Sequence, residues 1–317
     1  MDFTMTEEQV LLRDTARAVL TKHCPMTLVR AHIDDPVVAD ALWPVLDEWT
    51  ALADGPLVDL CLFLEECGSL LLPGPFLGTV LARRLGAADG TATVAMAGRD
   101  GQWVPNDEST KTFVLEADRV DHLIAVWSTG VSTATITNLR QVGTVDWSRR
   151  VFEVDVKPST SRGVHHPPVS DWLEFAYVAL AAEMVGTARW LLRTTIEYAK
   201  ERVQFDVPIG SFQAIQHKLA NMSLAVERAV SATYYAAMAI DADDADRHRA
   251  AHVAKAAAGR AATLCAKDGI QIHGGIGYTW EHDLHLYIRR AYGSEHLLGT
   301  AGWHHDRLAD LLFAESP

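Results

Sequence analysis

The sequence predicts a mainly α-helical protein with a small β domain set between two helical regions. Three observations carry this. Residues 1–88 place apolar side chains near helical spacing; residues 89–165 change texture, to short β-branched runs between turn residues; and residues 166–317 return to long, alanine-rich helical stretches. The reading is therefore an N-terminal helical domain, a middle antiparallel β domain and a C-terminal four-helix bundle.

The elements follow in order. Val10, Leu11, Leu12, Ala16, Val19 and Leu20 recur on one face behind Thr6, with Glu7 and Glu8 favourable in the first turn. Leu60 to Glu66 reads as a helix stopped at Gly68, and Pro73-Gly-Pro75 turns the chain into another from Phe76 to Leu85. Short strands are predicted over 91–96, 112–115, 122–127, 134–139 and 151–156, between clusters such as Arg99-Asp-Gly101 and Pro105-Asn-Asp107. His165-His-Pro-Pro168 reads as the linker into the bundle. A helix over Asp171 to Arg202 would be roughly 48 Å long. Pro208 and Gly210 break the pattern, Ser211 is the expected N-cap of a helix from Phe212 to Ile240, and helices over 248–273 and 281–298 follow, then a short tail helix.

The 317 residues suffice for two or three domains with substantial cores, and 49% hydrophobic with 22% charged residues is a globular composition. A formal net charge of −13 argues against nucleic acid as a partner. No run of about 18 uninterrupted apolar residues appears, so no membrane span is expected. The polar, acidic start is unlike a secretory signal, and the four cysteines show no paired zinc spacing; both suit reduced thiols in the cytoplasm.

Two stretches invite chemistry. Arg202, Gln204, Phe205 and Gln213 cluster at a helix–helix corner, where a fixed charge, two amides and a ring suit a phosphate-bearing planar ligand. Gln271, His273, Gly274 and Gly275 close the third long helix, and the glycines let backbone approach a ligand. Gly275-Ile-Gly277 is no dinucleotide fingerprint, because it follows a helix. His282 with His285, and His304-His-Asp306, lack a third metal ligand at fixed spacing.

The spelling Arg202-x-Gln-Phe-x-x-Pro-Ile-x-x-Phe-Gln-Ala-Ile-Gln216, followed by Asp268-Gly-Ile-Gln-Ile-His-Gly-Gly-Ile-Gly-Tyr278, resembles the two signatures of the flavin-dependent acyl-CoA dehydrogenases. The resemblance implies that the N-terminal domain packs beside an acyl chain. It also implies that Arg202, Phe205, Gln213, Gln271, Gly274 and Gly275 contact the adenosine and pyrophosphate end of FAD. The Thr-Glu-Pro and Gly-Ser-Asp loop and the Trp-Ile-Thr strand that hold the flavin ring in such proteins are missing, and the β domain is short.

Removing an α-proton from an acyl thioester needs a carboxylate. The family position for it, nine residues after Arg289, is Leu298, and the position used by a minority falls near Ala176 and Tyr177. Glu174 and Glu183 lie on that first bundle helix, and Glu295 lies three residues from the usual site. The resemblance therefore implies a base-less subunit of a heteromeric α2β2 acyl-CoA dehydrogenase. A homologous catalytic partner would supply the flavin cradle and the glutamate, and an electron-transfer acceptor would complete the cycle. Steroid-derived CoA thioesters are the substrate class that the resemblance suggests. A homo-oligomeric dehydrogenase with a displaced base, and a non-catalytic acyl-CoA-binding or scaffold protein, are the alternatives.

Overall fold

The computed structural model describes residues 3–87, 89–159 and 166–314. Both expected domain boundaries, near 88 and 165, and His165 of the linker lie outside the described residues.

Helix α1 (Glu7–His23) opens with a capping box: Gln9 N–H donates to Thr6 Oγ1 at 3.2 Å, and Gln9 Oε1 accepts from Thr6 N–H at 3.2 Å. After α2 (Met26–Asp34), two 3-10 turns flank the short α3 (Trp43–Leu46). Helices α4 (Leu57–Ser69) and α5 (Phe76–Arg84) complete the region. Gly68 does not stop α4; it lies inside the helix. A Cβ there would meet the Glu183 carbonyl carbon at 2.8 Å, and one at Gly186 would meet the Glu65 carbonyl carbon at 2.8 Å. The two glycines let α4 cross the first bundle helix backbone to backbone.

The middle region is a five-stranded sheet of β1 (Ala92–Ala95), β2 (Thr110–Leu115), β3 (His122–Trp127), β4 (Gly130–Val142) and β5 (Val151–Pro158), ordered β1-β3-β4-β5-β2. It is mixed rather than wholly antiparallel, because β1 pairs in parallel with β3. The sheet curls until its ends touch: Thr93 Oγ1 donates to the Leu115 carbonyl at 2.7 Å, and Thr112 N–H to that of Ala97 at 2.9 Å. Val114, Leu123, Phe152, Val154 and Val156 form its own small core.

The bundle consists of α6 (Val169–Glu201), a hairpin of β6 (Val203–Gln204) and β7 (Val207–Pro208), then α7 (Gln213–Asp241), α8 (Arg247–His273) and α9 (Leu284–His296), with α10 (Ala301–Ala314) packed on α8. By length and composition α6 could cross a bilayer, but 83% of its most apolar window is buried, so here it is the central core helix. Alanines line its contact with α8, where small side chains permit close approach. Trp190 stacks flat on Tyr287 with ring centres 3.5 Å apart, tying α6 to α9. Asp241, at the end of α7, accepts from the N–H groups of Leu57 (2.7 Å) and Val58 (3.2 Å) and so caps α4, which has no cap of its own. One continuous core joins the N-terminal helices to the bundle.

Candidate functional site

At the corner where α6 ends, Arg202 is the C-cap residue and donates its N–H to the Tyr198 carbonyl at 2.9 Å. The β6–β7 hairpin turns on Phe205 (φ 55°) and Asp206 (φ 63°). Two-residue hairpin loops of this handedness favour Asn-Gly. A phenylalanine there carries strain of about 1 kcal/mol, and the turn holds its ring 87% exposed. Phe212 meets that ring edge-on at 6.1 Å.

Ser211 is not the cap of α7. Its hydroxyl donates back to the Pro208 carbonyl at 2.7 Å, in a 3-10 turn that Pro208 and Gly210 impose. Phe212 stands at the N-cap with no side-chain hydrogen bond, so the first N–H groups of α7, beside exposed Gln213, face outward.

The second cluster reaches the same end of the bundle. Tyr198 stacks on His273 with ring centres 4.3 Å apart, and its hydroxyl donates to the His273 carbonyl at 3.3 Å. Lys218 of α7 pairs with Asp268 of α8 at 2.5 Å. Gln271, Gly274 and Gly275 are exposed. Gly274, at φ +64°, needs to be glycine, whereas a Cβ on Gly275 would meet nothing within 4 Å. Arg202 forms no ion pair among the described residues. The fold thus places all six predicted contact residues, each exposed, at one end of the bundle, among exposed apolar side chains such as Phe205, Ile276 and Tyr278.

Leu298 sits in different surroundings. It is 4% exposed at φ +57°, and its carbonyl accepts from His304 Nε2 at 3.0 Å. Lys255, buried among the alanines of α8, donates to the carbonyls of Gly299 (2.8 Å) and Glu295 (3.3 Å). Burial, opposed by Glu295, pushes the Lys255 ammonium down to about 8. Behind His304 lies His252, Nδ1 to Nδ1 at 2.7 Å, which burial and then the charges of Arg307 and His248 hold down to about 4. This inner layer of Lys255, His304 and His252 fixes the loop carrying Leu298. Sequence reasoning missed it; its signal was a lysine in an otherwise alanine-rich helical face.

The space that Leu298 faces is nearly filled. Trp172, Leu180 and Leu297 on the helical side meet Trp103, Phe113 and Leu115 on the sheet side, leaving about 30 Å³. That admits one or two waters, where a ligand pocket needs roughly 300 Å³ or more.

None of the other candidate bases faces this gap. Glu183 is buried between Arg149 and Arg290, the latter at 3.0 Å. Arg290 also pairs with Asp146 at 2.7 Å and donates to Ser148 Oγ at 2.9 Å, and Arg149 donates to Ser294 Oγ at 3.1 Å. Glu174 pairs with His248 and with Arg247 (3.3 Å); burial raises its pKa while His248 opposes. Glu295 accepts from Ala301 N–H at 2.7 Å. Ala176 and Tyr177 are buried, the tyrosine ring edge-on to His304 at 4.7 Å. Glu174 and Glu183 are both held in ion pairs, and neither lines the gap around Leu298. His282 packs against His273 and His285 against Trp280, while His305 Nδ1 contacts the Ala301 carbonyl at 2.5 Å. Among the described residues no group of three or more His, Cys, Asp or Glu is placed to hold a metal.

The profile of the acyl-CoA dehydrogenase C-terminal domain matches residues 169–313. Acyl-CoA dehydrogenase IpdE2 of Mycobacterium tuberculosis (strain ATCC 25618 / H37Rv) is 35% identical over 311 residues, covering 93% of this chain and 94% of that protein. The chain belongs to the acyl-CoA dehydrogenase family. Acyl-CoA dehydrogenases are FAD-dependent oxidoreductases. The fold agrees throughout: the ChsE4-ChsE5 complex from Mycobacterium tuberculosis superposes with a TM-score of 0.86 at 24% identity over 100% of both chains. The Tcur3481-Tcur3483 steroid ACAD G363A variant gives 0.83 at 25% identity, over 97% of this chain and 98% of that one. Within the acyl-CoA dehydrogenase fold, this chain pairs an exposed edge at the α6–α7 corner with a nearly filled gap around Leu298.

Proposed function

We propose that this chain is the base-less subunit of a heteromeric, α2β2 acyl-CoA dehydrogenase that α,β-desaturates an acyl-CoA thioester. The observation that carries the reading is the apolar cleft of about 30 Å³ around Leu298, together with an edge at the far end of α6 where Arg202 stands exposed.

The residues present suit one end of FAD and not the other. At the nucleotide end, Arg202 offers a fork of donors for the pyrophosphate, and the bare Gly274-Gly275 backbone leaves room for close approach. Gln213, Gln271 and Phe205 present amides and a ring to the adenosine arm. The gap of about 30 Å³ around Leu298 is too small for a tricyclic ring, which supports a flavin cradle supplied by the partner. When bound, the flavin supplies the hydride acceptor; proton removal falls to a carboxylate of the homologous partner subunit.

The two structural neighbours, one a two-protein complex and one a steroid ACAD, support a heteromer acting on steroid-derived CoA thioesters. An electron-transfer acceptor and a cytoplasmic location complete the proposal. Against a self-sufficient enzyme stands the leucine at position 298, and against a stand-alone acyl-CoA binder stands the nearly filled gap around it.

Arg202→Ala in the purified complex should speed FAD loss about tenfold, the scale of one charge-assisted contact. Flavin fluorescence during dilution measures it. An unchanged dissociation rate would remove Arg202 from the site.

A further inference from the structure

A cleft of about 310 Å³ opens between α2, with the 3-10 turn behind it, and the β4–β5 connector. It shares no lining residue with the closed acyl cleft and none with the six contact residues at the tail corner. His32, Gln141, Thr144, Trp147 and Arg150 border it. Arg149 also reaches it, but its guanidinium is committed to Glu183 and Ser294.

His32 is the feature that needs an explanation. It is 1% exposed, and neither ring nitrogen has a hydrogen-bond partner. The Pro36 carbonyl lies close enough to favour the protonated ring, yet does not reach hydrogen-bond geometry with it. Leaving such a group unsatisfied costs about 1–3 kcal/mol, so the fold holds a polar ring ready for something that enters the cleft.

The surrounding charge selects what enters. Burial first, then the fields of Arg150, Arg290 and Arg119, hold His32 down to about 4, so the ring is neutral at physiological pH and presents an N–H. Arg150 is partly buried at the rim, paired with Asp118 at 2.5 Å and 3.4 Å from Gln141 Oε1. Arg289 lies over the Trp147 ring at 3.5 Å, with a buried Nε that has no partner. Of the two carboxylates in the wall, Asp146 is taken up by Arg290 and Asp34 is exposed. Arg119 and Arg150 have carboxylate partners in Asp40 and Asp118, but the charges that act most on the His32 ring are those of Arg150, Arg290 and Arg119, and a positive field at the ring draws anions.

We propose that this cleft binds an anionic oxygen group, a phosphate or a carboxylate on a small ligand, with His32 giving the inner hydrogen bond and Arg150 the charge at the rim.

The test follows the His32 ring resonance in the full chain with isotope-labelled histidine, titrated with inorganic phosphate and, separately, with glutarate. Because the resonance is specific to His32, phosphate held at Arg202 does not register. A saturable shift with a Kd on the order of 1 mM is expected for at least one anion. A response to phosphate alone assigns a phosphate-bearing ligand, to glutarate alone a carboxylate, and to both a general oxyanion site. His32→Gln assigns the signal, and Arg150→Gln, at a less buried residue, should weaken binding about tenfold. If neither anion moves the resonance by about 20 mM, or Arg150→Gln leaves the affinity unchanged, the proposal is overturned.

Discussion

Replacing Arg290 with methionine is expected to lower the unfolding free energy by about 3–5 kcal/mol. Arg290 is 1% exposed and binds Asp146 and Ser148 of the β4–β5 connector and Glu183 of α6. Full burial lowers its pKa, yet the pull of Asp146 and Glu183 prevails and holds it above the ordinary guanidinium range. Removing it leaves Asp146 buried with only Ser148 as donor, while Glu183 keeps Arg149. One uncompensated carboxylate, that of Asp146, then faces the core, and removing one partner of a buried network costs more than replacing the whole of it. Asp146→Asn added to Arg290→Met should therefore recover part of the loss, whereas Glu183→Gln added to it should not, because it strips buried Arg149 of its carboxylate. Urea denaturation of the three variants measures this. An Arg290→Met midpoint equal to wild type would show that the network does not dock the sheet on the bundle.

Restoring a carboxylate at the family's usual position should not restore catalysis. Leu298→Glu places the new group in an apolar gap of about 30 Å³, where burial favours its neutral form. The cost is on the order of 3 kcal/mol, from burying a polar group without a partner. The loop also resists rearrangement, because His304 holds the Leu298 carbonyl and Lys255 that of Gly299. Added to FAD and an acyl-CoA, the isolated variant should reduce no electron-accepting dye, and it should unfold at lower denaturant. Turnover by Leu298→Glu alone would mean that the cleft opens, and the assignment of a non-catalytic subunit would fall.

Much of this was legible in the residues. The alanine-rich run into Arg202 announced a long helix, Thr6 ahead of Glu7 and Glu8 marked the start of the first helix, and Leu298 stood out because a leucine cannot take a proton. Three readings failed for identifiable reasons. Gly68 looked like a helix stop, but its lack of a side chain serves the crossing with Gly186, a contact between positions far apart in sequence. Ser211 looked like a cap, but Pro208 and Gly210 set a 3-10 turn that directs its hydroxyl backward. The alternation in β1 and β3 marked strands without marking direction, so their parallel pairing was invisible. The inner ion network escaped notice because Arg149, Glu183 and Arg290 resemble surface charges until the fold brings them together. Likewise, nothing in the sequence distinguishes His32 from a satisfied core histidine.

The division of labour is tested most directly by purifying the chain alone and with its candidate partner, then recording native mass and flavin absorbance. The account predicts a flavin-free, inactive chain by itself, and with the partner an α2β2 assembly holding one FAD for each pair of unlike chains. A lone chain that retains FAD at one per protomer and oxidises an acyl-CoA would contradict it.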